Sequence, residues 1–167
     1  LDNPICADSA LRESLSDWSI WLANERRFSG HTVNAYLRDI EYFLYFVADH
    51  IGASPTLSTL LNLRTVDFRA WLASRANNGL KKTTIARALS VVRGFFSWLE
   101  RNSLGSNPAI KTLNAPKIPH GTPKPIMAKN AIHAVETIKN ETRYPWVATR
   151  DAAVLLLLYG AGLRISE

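Results

Sequence analysis

Six basic residues lie between Asp67 and Glu100, a stretch that contains no acidic residue. The six are Arg69, Arg75, Lys81, Lys82, Arg87 and Arg93. Such side chains bind phosphate well, because a lysine supplies a point charge and an arginine supplies two parallel hydrogen bonds. The chain of 167 residues also carries a formal charge of +6 and has a pI of about 9.7. These features predict an anionic partner, with nucleic acid or a membrane surface as the candidates.

Part of this basic run lies on one side of a predicted helix over residues 82–101. The apolar stripe of that helix follows steps of four and three residues, through Ile85, Leu89, Val92, Phe96 and Leu99. At about 100° per residue, Thr83, Arg87 and Ser90 fall on the opposite side. A face of short polar side chains with one arginine fits the major groove of DNA, because the hydroxyl groups can bind phosphates and the arginine a guanine edge.

A second polar flank is predicted on the second helix of the chain, whose apolar stripe includes Val33 and Ile40. The side chains of His31, Asn34 and Arg38 share that flank. The predicted DNA-binding residues of the two helices are His31, Thr32, Asn34, Arg38, Lys81, Lys82, Thr83, Thr84, Arg87, Ser90 and Arg93. Many charged helix faces are only solvated, so simple solvation of both faces stays open as the alternative.

Helical periodicity runs through the first hundred residues and predicts an all-α bundle. There are four apolar stripes, and the first of them consists of Leu11, Leu15, Trp18 and Leu22. Ser29 is the predicted N-cap of the second helix, and a short helical turn is predicted at residues 57–61. The third helix carries Val66 and Trp71 and is expected to stop at Gly79. We assign residues 1–103 to one DNA-binding domain.

The composition changes sharply over residues 104–125, which contain five prolines, three lysines and no acidic residue. This predicts a linker in extended conformation. Residues 126–167 open a second domain, with helices predicted at 131–138 and 147–159. The latter helix is almost entirely apolar from Ala152 onward, so it is expected to be buried with Tyr159 packed inside. The chain ends at Glu167 without a helix-ending residue, which predicts that this domain is truncated.

The remaining composition excludes several classes of protein. Cys6 is the only cysteine, which excludes an internal disulfide and a Cys-rich zinc site. No metal and no cofactor are expected. The first residues lack the pattern of a signal peptide, and the apolar run over residues 152–159 is too short to span a bilayer. We therefore predict a cytoplasmic protein that does not bind a membrane.

Several stretches form a pattern more specific than helical periodicity. Residues 29–40 read SGHTVNAYLRDI, residues 79–87 read GLKKTTIAR, and Asn107-Pro108 stands at the start of the linker. Residues 150–167 read RDAAVLLLLYGAGLRISE. This pattern resembles the core-binding domain and first catalytic box of the tyrosine site-specific recombinases, the family of the phage integrases. The APK and PKP triplets of the linker look like the Xer subgroup.

The resemblance implies a SAM-like four-helix core-binding domain, a linker and the first helices of a catalytic domain, which together clamp a double-stranded DNA half-site. It identifies Arg164 as the first active-site arginine. Its guanidinium would hold two nonbridging oxygens as negative charge develops on the phosphate. Glu167 is identified as a supporting acid. An ordinary surface pair between Arg164 and Glu167, three residues apart, is the alternative.

The tyrosine nucleophile and the other catalytic residues of this family would lie beyond Glu167. The resemblance therefore implies that residues 1–167 bind DNA without cutting it. The parent enzyme would resolve chromosome or plasmid dimers at cell division through a phosphotyrosyl intermediate. Its partner would be a second recombinase in a tetramer. The alternatives are a phage, plasmid or integron integrase of the same family and a non-enzymatic helical adaptor that binds protein. A type IB topoisomerase fits residues 160–167 less well.

Overall fold

The computed structural model describes residues 7–118, 126–141 and 143–163. The chain divides into two compact units, Leu1–Pro119 and His120–Glu167. All regular secondary structure in the described residues is helical, which confirms the predicted all-α class.

In its described residues, the first unit contains five α-helices and one short 3-10 helix. In chain order they are α1 (Ser9–Asn24), α2 (Gly30–Ile51), α3 (Leu57–Leu61), α4 (Thr65–Asn77), α5 (Lys82–Arg101) and the 3-10 helix Pro108–Thr112. The four predicted long helices correspond to α1, α2, α4 and α5, and the predicted short turn is α3. Helix α5 packs against α1, α2 and α4, so it lies at the centre of the bundle.

Short polar residues and glycines set the helix ends. The Asp8 carboxylate caps α1 by accepting from Leu11 N at 2.9 Å, and the predicted cap Ser29 accepts from Thr32 N at 3.3 Å. Gly79 follows α4 at φ 74°, a left-handed conformation that favours glycine. This turn leads directly into the basic N-terminus of α5.

The core of the first unit is centred on Phe43 of α2, whose side chain is fully enclosed. Its ring stacks on that of Phe68 at 5.9 Å between centroids and meets Trp71 edge-on at 5.0 Å. It also meets Phe96 of α5 edge-on at 6.5 Å. Because α2, α4 and α5 all contribute rings to this cluster, the positions of their outward faces are fixed relative to one another.

The Pro-rich segment differs from the extended conformation that its composition predicts. Residues Pro108–Thr112 form the 3-10 helix, and Ile110 and Leu113 are buried against the first unit. The side chain of Asn107 is buried and donates to Leu60 O at 3.0 Å and to Leu63 O at 2.9 Å. These contacts hold the first part of the segment on the bundle, because the buried amide finds two carbonyl acceptors there, and of these Leu60 O also accepts from Leu63 N at 3.3 Å.

Replacing Asn107 with Ala should lower the free energy of unfolding by about 1–3 kcal/mol, since the buried Leu63 O would lose its donor and Leu60 O one of its donors. Urea denaturation followed by tryptophan fluorescence measures this change. Asn24→Ala removes an exposed amide at the end of α1 and should change stability by less than about 0.5 kcal/mol. Equal effects of the two substitutions would contradict the structural role of Asn107.

Asp67 ties the start of α4 to the end of α2. Its carboxylate accepts from Arg64 N at 2.8 Å and lies 3.1 Å from His50 Nε2. The hydrogen bond from Arg64 N lowers the pKa of Asp67 below its ordinary value; partial burial opposes this shift, and the hydrogen bond to His50 adds to it. The ionised carboxylate therefore stabilises the folded state.

Asp67→Asn should cost about 1 kcal/mol of folding free energy near neutral pH, the usual contribution of a helix cap. The folded pKa lies below the unfolded value of about 3.9, so the stabilisation is present above that value and is lost as pH falls through the folded pKa. In urea denaturation at several pH values, the difference between variant and unaltered protein should shrink below about pH 4. A difference that persists unchanged in acid would contradict this account, and Asp17→Asn on α1 serves as the exposed control.

The second unit contains α6 (Ala128–Glu141) and α7 (Pro145–Gly160), which pack on each other. The prediction that α7 is buried is wrong: Val154, Leu156, Leu157 and Tyr159 are between 47% and 58% exposed. The apolar side chains of α7 project on all sides of the helix, whereas α6 covers only one side. Of the residues of α7, only Ala148 and Ala152 are therefore buried. The Tyr159 hydroxyl donates to Ile126 O at 3.3 Å instead of packing inside.

Within the described residues, no helix combines the length and apolar content needed to cross a membrane.

Candidate nucleic-acid interface

The outward face of α5 has the polar character that its sequence predicts. Thr83, Arg87 and Ser90 are exposed, whereas Ile85 and Leu89 on the other side are buried in the bundle. This sidedness follows from the steps of four and three in the apolar stripe, which turn one side of the helix into the core. The face is therefore available to a partner along the length of α5.

The N-terminus of α5 is positively charged and uncapped. Lys81 occupies the N-cap position without a side-chain hydrogen bond to the helix, and the first turn contains no acidic residue. The side chains of Lys81 and Lys82 are exposed, and Thr84 is half-buried. Helix N-terminal amides without side-chain acceptors bind anions, and two lysines beside them strengthen the attraction. This end of α5 can thus accept a phosphate.

The predicted flank of α2 is also exposed, at the side chains of His31, Asn34 and Arg38. Thr32 differs from these residues because its hydroxyl is bonded to Ser29 Oγ at 2.9 Å within the helix cap. It is half-buried there. The three exposed residues recur at steps of three and four, which places them along one line of α2.

An ion pair joins the two predicted surfaces. Arg87 of α5 donates through Nη2 to Asp39 Oδ1 at 3.3 Å, and its Nε lies 3.2 Å from Asp39 Oδ2. Beside this pair a cleft of about 500 Å³ opens between α2, α4 and α5, and we call it the basic cleft. Its lining includes Arg38, Thr84 and Arg87 from the predicted set. One residue of the predicted α2 flank and two of the predicted α5 residues therefore line the same cleft.

Arg75 and Asp39 are two members of the basic cleft to which the sequence assigned no function. Arg75 is 9% exposed, and its guanidinium carbon lies 5.9 Å from the ring centroids of both Tyr42 and Trp71. Asp39 is 3% exposed. A sequence signal for the burial of Asp39 exists, because it falls between Tyr36 and Phe43 on the side of α2 that faces the core.

The electrostatics of the basic cleft are set by this buried carboxylate. Burial raises the pKa of Asp39 above its ordinary value, and the charges of Arg87, Arg75 and Arg38 oppose that shift. Arg75 Nη2 lies 4.0 Å from Asp39 Oδ1, so one carboxylate faces two guanidinium groups. Arg38 and Asp49 also line the basic cleft, so three arginines face two aspartates and the cleft keeps a net positive charge.

Arg93 is separated from the other predicted residues. Its Nε donates to Ile110 O at 3.4 Å and its Nη2 donates to Leu113 O, so the guanidinium binds backbone carbonyls of the folded Pro-rich segment. The side chain is half-buried. These contacts give Arg93 a packing role, which the sequence did not indicate because its partners lie 17 and 20 residues away.

Arg164 and Glu167, the predicted catalytic residues, lie outside the described residues.

Comparison with known families agrees with this architecture. The sequence profile of the phage integrase N-terminal SAM-like domain matches residues 15–103, more than half of the chain. The chain belongs to the phage integrase family. The matched residues run from within α1 to just beyond the end of α5, and the expected SAM-like fold is confirmed.

Members of the phage integrase family named tyrosine recombinase XerC are similar along almost all of the chain. The protein of Rhodospirillum centenum is 45% identical over 155 residues, which cover 93% of this chain and 46% of that relative. The protein of Mesorhizobium japonicum is 43% identical over 163 residues, covering 98% and 52%. The chain spans about half the length of these relatives. The predicted resemblance to Xer-type recombinases is confirmed.

A solved member of the family has a similar fold. The integrase from mycobacterium phage Brujita matches with a TM-score of 0.55 and 18% sequence identity, over 95% of this chain and 48% of that one. At 18% identity, the match is evidence for the fold of this chain alone.

Proposed function

We propose that the first unit is the DNA-binding part of a tyrosine recombinase that exchanges strands at specific sites. The observation that carries the proposal is the basic cleft, which Arg38 of α2 and Arg87 of α5 both line beside the exposed polar face of α5. Lys81, Lys82 and Arg38 contact phosphates and supply affinity, while Arg87 and the short side chains around it approach base edges. The recombinase relatives support DNA as the anionic partner.

Catalysis belongs to the longer enzyme. Transesterification at a DNA phosphate builds negative charge on the nonbridging oxygens, and Arg164 stabilises that charge with its planar guanidinium. Glu167 orients neighbouring active-site groups. The tyrosine that forms the phosphotyrosyl bond, together with the remaining catalytic groups, is supplied by the rest of the catalytic domain. The enzyme acts in the cytoplasm, in a tetramer with a second recombinase, to resolve chromosome or plasmid dimers.

Charge reversal tests the DNA-binding surface. Lys81→Glu and Arg87→Glu should each weaken the binding of a fluorescein-labelled duplex roughly tenfold at moderate salt, because the first removes a phosphate contact, the second removes a base contact, and both add a repulsion. Fluorescence anisotropy measures the dissociation constant.

Arg12→Glu is the matched control, because Arg12 is an exposed arginine of α1 outside the proposed surface. It should weaken binding less than about twofold, through net charge alone. The proposal fails if all three variants bind alike, or if the unaltered chain has no affinity for DNA. A helical adaptor for proteins would give the second of these results.

A further inference from the structure

Asp39 is an unexpected residue to find beneath a surface that binds a polyanion. Its carboxylate is almost completely buried between α2 and α5, and Arg87 is its nearest partner. Burial of an ion pair seldom maximises stability, because desolvation of both charges offsets their attraction. The pair is also imperfect, since Oδ2 accepts no hydrogen bond although Nε of Arg87 is 3.2 Å away. Stability alone therefore explains this carboxylate poorly.

The two partners differ in exposure in a way that suits a support beneath a contact residue. The Asp39 side chain is 5% exposed, whereas that of Arg87 is 54% exposed. One edge of the guanidinium, formed by Nε and Nη2, faces the carboxylate from within the protein. The rest of the group lies at the surface, where it can meet DNA.

We propose that Asp39 is a positioning residue, which fixes the Arg87 guanidinium at the basic cleft so that it is already ordered when DNA arrives. The proposal rests on the proposed DNA-binding function. An unrestrained arginine loses rotamer freedom on binding, and this loss lowers affinity. An arginine already held by a rigid helix loses less of it, because folding has ordered the side chain beforehand.

Arg75 completes the arrangement from the other side of the carboxylate. Its guanidinium, 4.0 Å from Asp39 Oδ1, is held beside the rings of Tyr42 and Trp71 and stays buried. Asp39 therefore keeps a second neighbouring cation when the exposed part of the Arg87 guanidinium meets a phosphate or a base. An acid shared in this way can orient Arg87 without being left as an uncompensated buried charge.

A double-mutant cycle tests the proposal with the whole chain and a fluorescein-labelled duplex about three helical turns long. Asp39→Asn should weaken binding about threefold to tenfold, the usual effect of ordering one long side chain on complex formation. This loss should occur although the substitution makes the protein more positive. In an Arg87→Gln background the same substitution should no longer weaken binding, because the residue that Asp39 positions is absent.

Asp17→Asn is the control for charge, because Asp17 is an exposed acid of α1 outside the basic cleft. It should leave affinity unchanged or raise it slightly. Arg87→Lys provides a second route to the same answer if Asp39→Asn fails to fold. Lysine keeps the charge but cannot bond the carboxylate through a fork, so this variant should lose affinity to a similar extent.

The possible outcomes separate this proposal from the proposed function. If Asp39→Asn leaves binding unchanged or strengthens it, as the control Asp17→Asn should, or weakens it equally with and without Arg87, Asp39 does not position Arg87. Full affinity of Arg87→Lys would also overturn the proposal. If the unaltered chain does not bind the duplex, or Arg87→Gln binds as well as the unaltered chain, the proposed function itself fails at this surface, and the positioning role falls with it.

Discussion

Arg164→Ala, in a chain that carries the whole catalytic domain, is expected to lower the rate of strand cleavage about a hundredfold to a thousandfold. A positioned donor to a developing oxyanion contributes this much to catalysis. DNA affinity should change little, because the proposed binding surface is on α2 and α5. Trapping of the covalent protein–DNA complex on a nicked duplex, followed by a denaturing gel, measures cleavage, and anisotropy measures binding.

The control for this prediction is Arg150→Ala. Arg150 is an exposed arginine of α7, and its guanidinium pairs with Asp151 at 2.8 Å. Its removal should change cleavage less than about threefold, as expected for a surface ion pair. Normal cleavage by the Arg164 variant would refute the catalytic assignment, and an equal loss in both variants would point to a general effect on the second unit.

The largest expected effect on stability comes from Phe43→Ala, which should lower the free energy of unfolding by about 3–5 kcal/mol. The substitution empties the centre of the aromatic cluster and removes ring contacts to Phe68, Trp71 and Phe96. Small domains are stable by only about 5–15 kcal/mol in total, so much of the first unit should unfold at moderate urea concentrations. Circular dichroism during urea denaturation measures the loss.

Tyr45→Ala is the matched control, since Tyr45 belongs to the same helix and is 38% exposed. Its effect should remain below about 1 kcal/mol. If both substitutions cost the same, the core of the first unit is not centred on Phe43. DNA affinity of the Phe43 variant under conditions where it remains folded should be close to normal, because the ring itself does not reach the surface.

The sequence predicted the helices of the first unit well because their signals are local. The apolar stripe of α5 has regular steps, Ser29 caps α2 as expected, and Gly79 adopts the left-handed conformation that follows α4. Each of these features depends on residues within one or two turns of each other. The exposed face of α5 followed from the same periodicity.

The features that the sequence did not predict depend on distant contacts. Asp39 meets Arg87 across 48 positions of the chain, and Asn107 reaches Leu60 across 47. Proline content alone predicted an extended segment around Asn107, but the buried amide and the apolar side chain of Ile110 outweigh that local preference. Burial of α7 was predicted from composition, which cannot tell how many neighbouring elements cover a helix.

The most direct test of the DNA-binding surface is the salt dependence of duplex binding. The logarithm of the association constant should fall linearly with the logarithm of salt concentration, with a slope of about −0.9 for each phosphate contacted. In the double variant Lys81→Glu/Lys82→Glu the magnitude of that slope should decrease by about 2, since two phosphate contacts are lost. An unaltered chain whose binding is insensitive to salt, or a double variant with the same slope as the unaltered chain, would contradict a phosphate-binding role for this surface.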